Sequence, residues 1–317
     1  MLCIEAKSLS KSYGNVAAVD SIDLSVESGK IFGFLGPNGA GKTTTIKLLT
    51  TLILPSSGTV NILGMDASKD PLQVRKKIGV VLQQPSYEPT LTVEKSLEKY
   101  GMMWDVDAKT RRQRVEELLS AFDLQDIRKK KNDDISIGQR RRVQVAREFM
   151  HDMDLLFLDE PTVGLDPSAR RSLLDYIKGK VQDGLTIFFT THILEEAEYL
   201  CDKIAIINRG KIIAVDTPDE LKNKFGRKKT IKIHVGDVQD ISNILQGVVG
   251  SHDISYDEGT VITIRSDDSE QVLVKILQIL NSNNIAVKDL SVVPTSLEEI
   301  FLQVVKNSNS NFAGTNS

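Results

Sequence analysis

The sequence predicts an α/β fold built on a parallel sheet, followed by a smaller α+β unit. Three observations carry this expectation. The runs "GKIFGFLG", "DLLFLDEP", "LTIFFTTH" and "KIAIIN" are apolar at consecutive positions, as strands covered on both faces of a parallel sheet must be. A glycine-rich turn, "GPNGAGKT", follows the first run and opens a helical stretch, "TTTIKLLTTL". Beyond residue 230 the pattern changes to strict alternation, starting with "TIKIHV", which marks a half-buried strand and a new unit.

The first unit is expected over residues 1–225, with an antiparallel β part at its N-terminus. From about 90 to 150 the pattern turns charged and helical. In "KTRRQRVEELLSAFDL" the residues Val115, Leu118, Leu119 and Phe122 share one face, so a helical insertion between two strands is expected here. "NKFGRKKT", 223–230, reads as a linker. The second unit, 230–306, reads strand (230–235), helix (238–246), strand (253–257), strand (260–265), helix (269–281), strand (285–293). That order is the ferredoxin-like β-α-β-β-α-β arrangement. A last helix starts at Ser296, with Glu299 placed for a capping box, and the polar tail 307–317 is expected to be disordered.

Composition narrows the function classes. The chain has 317 residues, more than one core needs. A net charge of −3 gives no global basic field for nucleic acid. Two cysteines, Cys3 and Cys201, are too few for a disulfide framework and fit a reducing compartment. The N-terminus lacks a basic region followed by an apolar stretch, so no signal peptide is expected. No apolar run reaches the ~20 residues of a membrane span. A cytosolic protein is expected, serving any membrane through a partner.

The chemistry begins at Gly36–Thr43, which matches G-x-x-x-x-G-K-[ST] between a strand and a helix. Gly36, Gly39 and Gly41 let the backbone N–H groups converge on phosphate oxygens, and the helix N-terminus adds partial positive charge. Lys42 brings a cation to the outer phosphates, and Thr43 offers a hydroxyl to Mg²⁺; Asn38 and Thr44 belong to the same nucleotide contact. "LLFLDE" delivers Asp159 to the C-terminal end of a buried strand, where ligands bind in open α/β sheets. Asp159 would hold Mg²⁺ through water, and Glu160 would act as general base on the attacking water. These features define a P-loop NTPase with a RecA-like core. No N-K-x-D guanine motif follows, so other residues decide the branch.

Those residues resemble the nucleotide-binding domains of ABC transporters. Gln83 in "VVLQQP" looks like the Q-loop glutamine, and "ISIGQRRRV" resembles the signature motif, normally L-S-G-G-Q. "VGLDP" with Asp166 looks like the D-loop, His192 in "FFTTH" like the switch histidine, and Tyr13 in "KSYGNVAAVD" like the aromatic that stacks on adenine. The resemblance covers residues 2 to about 220 and is closest to the drug- and polysaccharide-export group, daunorubicin-resistance-like, whose ATPase carries a C-terminal extension that "PTSLEEIFLQVV" resembles. It implies ATP and Mg²⁺ as cofactors, with Gln83 also near the metal. It implies two ATPase domains, of the same chain or a paralogue, sandwiching ATP between one P-loop and the other's Ser136, Gly138 and Gln139, with Asp166 at the interface. It further implies an integral-membrane permease partner and a peripheral location on the inner face of the cell membrane. The aromatic and methionine residues Tyr87, Tyr100, Met102, Met103 and Trp104 suit either that partner or a core.

Other classes stay in view. A non-transport ABC-type ATPase would act on nucleic acid or in regulation, but there is one P-loop and no long heptad insertion. "RKKK" (128–131) and "RRR" (140–142) could read nucleic acid; without interleaved aromatics, solvated helix faces account for them better, and no nucleic-acid partner is expected. An inactive ATPase with a regulatory C-terminal unit is opposed by Glu160 and His192. His151, His234 and His252 are expected at the surface. Ser136 reads as the N-cap of a helix that buries Val143, Ala146 and Phe149 or Met150. Ile137 replaces the first glycine of the signature, adding bulk where two subunits close.

Overall fold

The computed structural model describes residues 1–226, 229–236, 254–257, 261–266, 269–293 and 296–313. The expected helix at 238–246 and His252 lie outside the described residues. Two compact units, Met1–Thr217 and Pro218–Ser317, divide the chain.

In the first unit, β1 (Leu2–Tyr13) and β2 (Val16–Glu27) pair antiparallel, and β4 (Ser57–Ile62) and β5 (Met65–Asp66) extend the sheet in the order β2-β1-β4-β5. The second sheet holds β3 (Ile31–Leu35), β6 (Ile78–Val81), β7 (Leu155–Asp159), β8 (Thr186–Thr191), β9 (Lys203–Asn208) and β10 (Lys211–Asp216), in the order β10-β9-β3-β8-β7-β6. All of its pairings are parallel except β10 with β9. Strands β3, β7 and β8 are buried at every position, which is why their sequences lack alternation. Phe188 stacks between Phe32, Phe34 and Phe157, with ring centroids 5.4–5.8 Å apart. Gly33 is required beside them, because a Cβ would lie 2.8 Å from the buried Cys201 thiol.

Helix α1 (Lys42–Leu49) follows β3, and α2 (Pro71–Arg75) precedes β6. The insertion comprises α3 (Val93–Met103), α4 (Ala108–Ala121) and α5 (Ile137–Glu148). Val115, Leu118, Leu119 and Phe122 are buried. Asp107 caps α4 by accepting the N–H groups of Lys109 and Thr110, satisfying donors that the first turn leaves open. On α5 and just past its end, Val143, Ala146 and Met150 are buried, but so are Arg141, Gln144, Arg147 and Glu148. The expectation that all three arginines 140–142 are solvated is therefore wrong for Arg141: the helix is enclosed, and its polar groups survive burial by bonding backbone carbonyls and one another. His151 is also buried, against expectation. Its ring stacks on Trp104 at 4.0 Å, and burial pushes its pKa down to about 4. His234 is exposed as expected. Helices α6 (Pro167–Gln182) and α7 (Leu194–Leu200) complete the unit.

The second unit starts with α8 (Pro218–Phe225), so the division falls before the glycine-containing stretch rather than within it. Strands β11 (Lys229–Val235), β12 (Ile254–Asp257), β13 (Val261–Ser266) and β14 (Val287–Val293) form an antiparallel sheet in the ferredoxin-like order β12-β13-β11-β14. Helix α9 (Ser269–Ser282) packs Ile276 and Leu280 on Ile231, Ile233, Ile262 and Ile264. Helix α10 (Leu297–Ala313) opens with the expected box: Glu299 N–H donates to Ser296 Oγ (3.2 Å) and Ser296 N–H to Glu299 Oε2 (3.3 Å). It runs on through 307–313, which were expected to be disordered. Buried Leu297, Ile300 and Val304 anchor it, and no Gly or Pro interrupts it before Gly314. Residues 314–317 lie outside the described residues.

Candidate active site

The phosphate loop joins β3 to α1. Gly41 sits at the helix N-cap with φ +111°, and a Cβ on it would lie 2.4 Å from the Ala18 carbonyl. At Gly36 a Cβ would meet the Ile207 carbonyl at 2.4 Å. Both positions therefore exclude any side chain. Lys42 is buried, and its ammonium donates to Gly36 O (2.8 Å) and Pro37 O (3.3 Å), which folds the side chain back over the loop it follows.

The acids come from the end of β7. Asp159 Oδ2 accepts from the Thr43 hydroxyl at 2.9 Å, and Oδ1 from the Thr190 hydroxyl at 2.6 Å. Thr190 is its register partner on β8, and the same hydroxyl accepts the Glu160 N–H at 3.1 Å. Sequence reasoning missed Thr190, which could be found only through that register. Glu160 is buried with φ +50°, left-handed backbone for a non-glycine residue. Its Oε2 receives Gln83 Nε2 at 3.3 Å and lies 3.1 Å from His192 Nδ1, while Oε1 lies 3.7 Å from Lys42 Nζ. Three groups predicted far apart in sequence thus converge on one carboxylate. Gln83, not Gln84, is the glutamine that reaches it.

A cavity of about 330 Å³ opens here, lined by Ala18, Asn38, Gly39, Gly41, Lys42, Thr43, Thr44, Gln83 and Glu160. Tyr13, Ser136, Gly138, Gln139 and Asp166 are not among its walls. Tyr13 is 52% exposed at the end of β1, with the Lys11 ammonium 5.5 Å from its ring centre.

The signature segment caps α5. Ser136 Oγ accepts the Gln139 N–H (3.1 Å), and Gln139 Oε1 accepts the Ser136 N–H (2.9 Å). The hydroxyl's own hydrogen stays available to an anion. Gly138 has no room for a side chain, since a Cβ would lie 2.8 Å from Gly164 O. Ile137 is the opposite case: it is 68% exposed at the first position of the helix, where ordinary helical φ suits it. Asp166 Oδ1 accepts the Ala169 N–H at 2.9 Å and caps α6, and that bond holds its carboxyl below the usual range. The neighbouring arginines are engaged. Arg140 donates to the Tyr87 hydroxyl (3.1 Å), and Arg142 to Phe122 O and to the Asp123 carbonyl and carboxylate (2.9–3.0 Å). Of the aromatic and methionine cluster, Tyr100 and Trp104 pack inward on Glu148 and His151, while Met102 and Met103 are exposed.

A parallel sheet with a glycine-rich phosphate loop after one strand and paired acids after another defines a P-loop ATPase. The ABC transporter family matches residues 19–163, and a family described as the C-terminal domain of DrrA1-3-like ATP-binding proteins matches residues 217–305. The daunorubicin/doxorubicin resistance ATP-binding protein DrrA of Streptomyces peucetius is 37% identical over 94% of this chain and 91% of its own. The linearmycin resistance ATP-binding protein LnrL of Bacillus subtilis (strain 168) is 32% identical over 95% and 97%. Among solved structures, an ATP-binding subunit of an ABC transporter superposes with a TM-score of 0.66 at 30% identity, covering 71% of this chain and 93% of that one. A dimeric post-hydrolysis state of the cassette MJ0796 bound to ADP and Pi gives 0.64 at 25%, covering 68% and 98%. The chain belongs to the ATP-binding subunits of ABC transporters, in the DrrA-like group.

Proposed function

We propose that this subunit hydrolyses Mg-ATP in a nucleotide-sandwiched dimer and thereby drives export through a separate integral-membrane permease, from the cytoplasmic face. The observation that carries the mechanism is the convergence of Gln83, His192 and Lys42 on Glu160, beside the Thr43–Asp159 pair. The loop N–H groups and Lys42 bind the phosphates. Thr43 and Asp159 offer adjacent hydroxyl and carboxylate oxygens, the hard donors Mg²⁺ prefers, and Gln83, which lines the same cavity, would join them through water. Bound there, Mg²⁺ neutralises phosphate charge. Glu160 takes the proton of the attacking water, and His192 and Gln83 hold that carboxylate in place. Tyr13 offers a ring face to adenine. Ser136, Gly138, Gln139 and Asp166 serve the nucleotide of the second copy, or of a paralogue, which is why they stand apart from the cavity of their own chain. Export is supported by the resistance proteins among the relatives. Met102 and Met103 are the exposed part of the insertion best suited to the permease.

Steady-state turnover of Glu160→Gln tests the mechanism. Loss of general-base catalysis lowers kcat by about 10²–10⁴-fold while ATP binding and ATP-driven dimerisation persist. Wild-type turnover would refute the assignment.

A further inference from the structure

Arg141 belongs to none of the nucleotide-contacting groups, yet its side chain is buried (6% exposed). Its Nε donates to Pro161 O at 3.1 Å, one terminal nitrogen to Asp159 O (2.7 Å) and Glu160 O (2.9 Å), and the other to Leu82 O (2.7 Å) and Gln144 Oε1 (2.9 Å). These five bonds match the five N–H donors of a guanidinium. Three acceptors are the successive carbonyls of residues 159–161, so both peptide groups flanking Glu160 are fixed by one side chain. A fourth is the residue before Gln83. Glu160 itself holds φ +50°, a left-handed conformation that is unfavourable for an L-residue and persists only where surroundings enforce it.

We propose that Arg141 is a positioning residue for hydrolysis: it locks the left-handed turn at Glu160 and ties it to the base of the Gln83 loop and to α5, so that the signature end of α5 and the carboxylate move as one body. The position is two residues past Gln139, which serves the opposite nucleotide. Closure felt at the signature segment is thereby transmitted to the carboxylate of the same chain. The proposal rests on the assignment of Glu160 as general base.

The test measures kcat, KM and equilibrium ATP affinity for full-length Arg141→Gln, Arg141→Lys, Glu160→Gln and the Arg141→Gln/Glu160→Gln double variant. Misplacing a catalytic group lowers kcat of Arg141→Gln by about 10–100-fold, with KM and ATP affinity within about threefold of wild type. Arg141→Lys, which keeps the charge and some donors, recovers part of the rate. In the Glu160→Gln background Arg141→Gln causes no further loss, because the group it places is already gone. Unchanged kcat in Arg141→Gln beside an inactive Glu160→Gln overturns the proposal alone, as do equal factors in both backgrounds. Full turnover by Glu160→Gln overturns the base assignment, and the proposal with it. If Arg141→Gln fails to bind ATP, Arg141→Lys decides: a kcat deficit at unchanged KM supports the proposal, and wild-type kcat overturns it.

Discussion

Replacing Glu148 by Gln should stabilise the first unit at pH 8 by about 3 kcal/mol and change little near pH 4.5. Glu148 ends α5 and is 2% exposed. Its Oε2 accepts the Val80 N–H at 3.2 Å, and both oxygens lie 2.9 Å from the Tyr100 hydroxyl. Burial raises its pKa from 4.5 to about 7, against the opposing pull of Arg147, Tyr100 and the Val80 N–H. Between those values the folded chain keeps a proton that the unfolded chain has lost, so stability falls as pH rises, by about 1.4 kcal/mol per pH unit. Gln stays neutral throughout: its oxygen can take the Val80 N–H, and its amide can donate to Tyr100. His151, just beyond the same helix, acts in the opposite sense. Burial lowers it from 6.5 to about 4, so between these values only the unfolded chain is protonated and stability rises with pH. In wild type the two slopes offset each other between pH 4.5 and 6.5. Glu148→Gln should expose the His151 slope of about 1.4 kcal/mol per pH unit. Urea unfolding at pH 5, 6.5 and 8 measures this through the single tryptophan, Trp104, which stacks on His151 and reports on this unit. The same stability difference at pH 5 and pH 8 would refute the reasoning.

Other perturbations probe the dimer. Gly138→Ala drives a methyl toward Gly164 O, costs about 1–3 kcal/mol and should abolish ATP-driven dimerisation in size-exclusion chromatography; a wild-type dimer would count against it. Ile137→Gly removes an exposed side chain, changes stability by less than about 1 kcal/mol and should tighten ATP-driven dimerisation and raise turnover. If neither moves, the isoleucine is neutral. Truncation after Thr217 should weaken dimerisation with ATP binding intact, because Val274, Val292, Val293 and Leu302 of the second unit present apolar surface; an unaltered oligomeric state would oppose that role.

Much of the site was legible because its chemistry is written in backbone-dictated motifs. A glycine-rich loop after a buried strand, and acids ending another, leave few alternatives, and the apolar runs named their strands directly. What stayed hidden were groups whose partners are carbonyls or register neighbours. Arg141 carries the same letter as Arg140 and Arg142, yet only it meets the turn after β7. Thr190 became visible once β7 and β8 were in register. His151 looks polar in sequence, but the flat ring of Trp104 gives it an apolar bed.

The two cysteines have a practical consequence. Both are buried, Cys3 on β1 and Cys201 beside Gly33, and burial pushes both thiols up, Cys3 to about 11. Thiolate-dependent reagents at neutral pH therefore find little to attack on the folded chain. A reporter cysteine placed at an exposed site would carry the spectroscopic label essentially alone. A label at Val16, exposed on β2 opposite Tyr13, would let the spin–spin distance between two copies follow their approach on ATP binding, without first stripping the native thiols from the core.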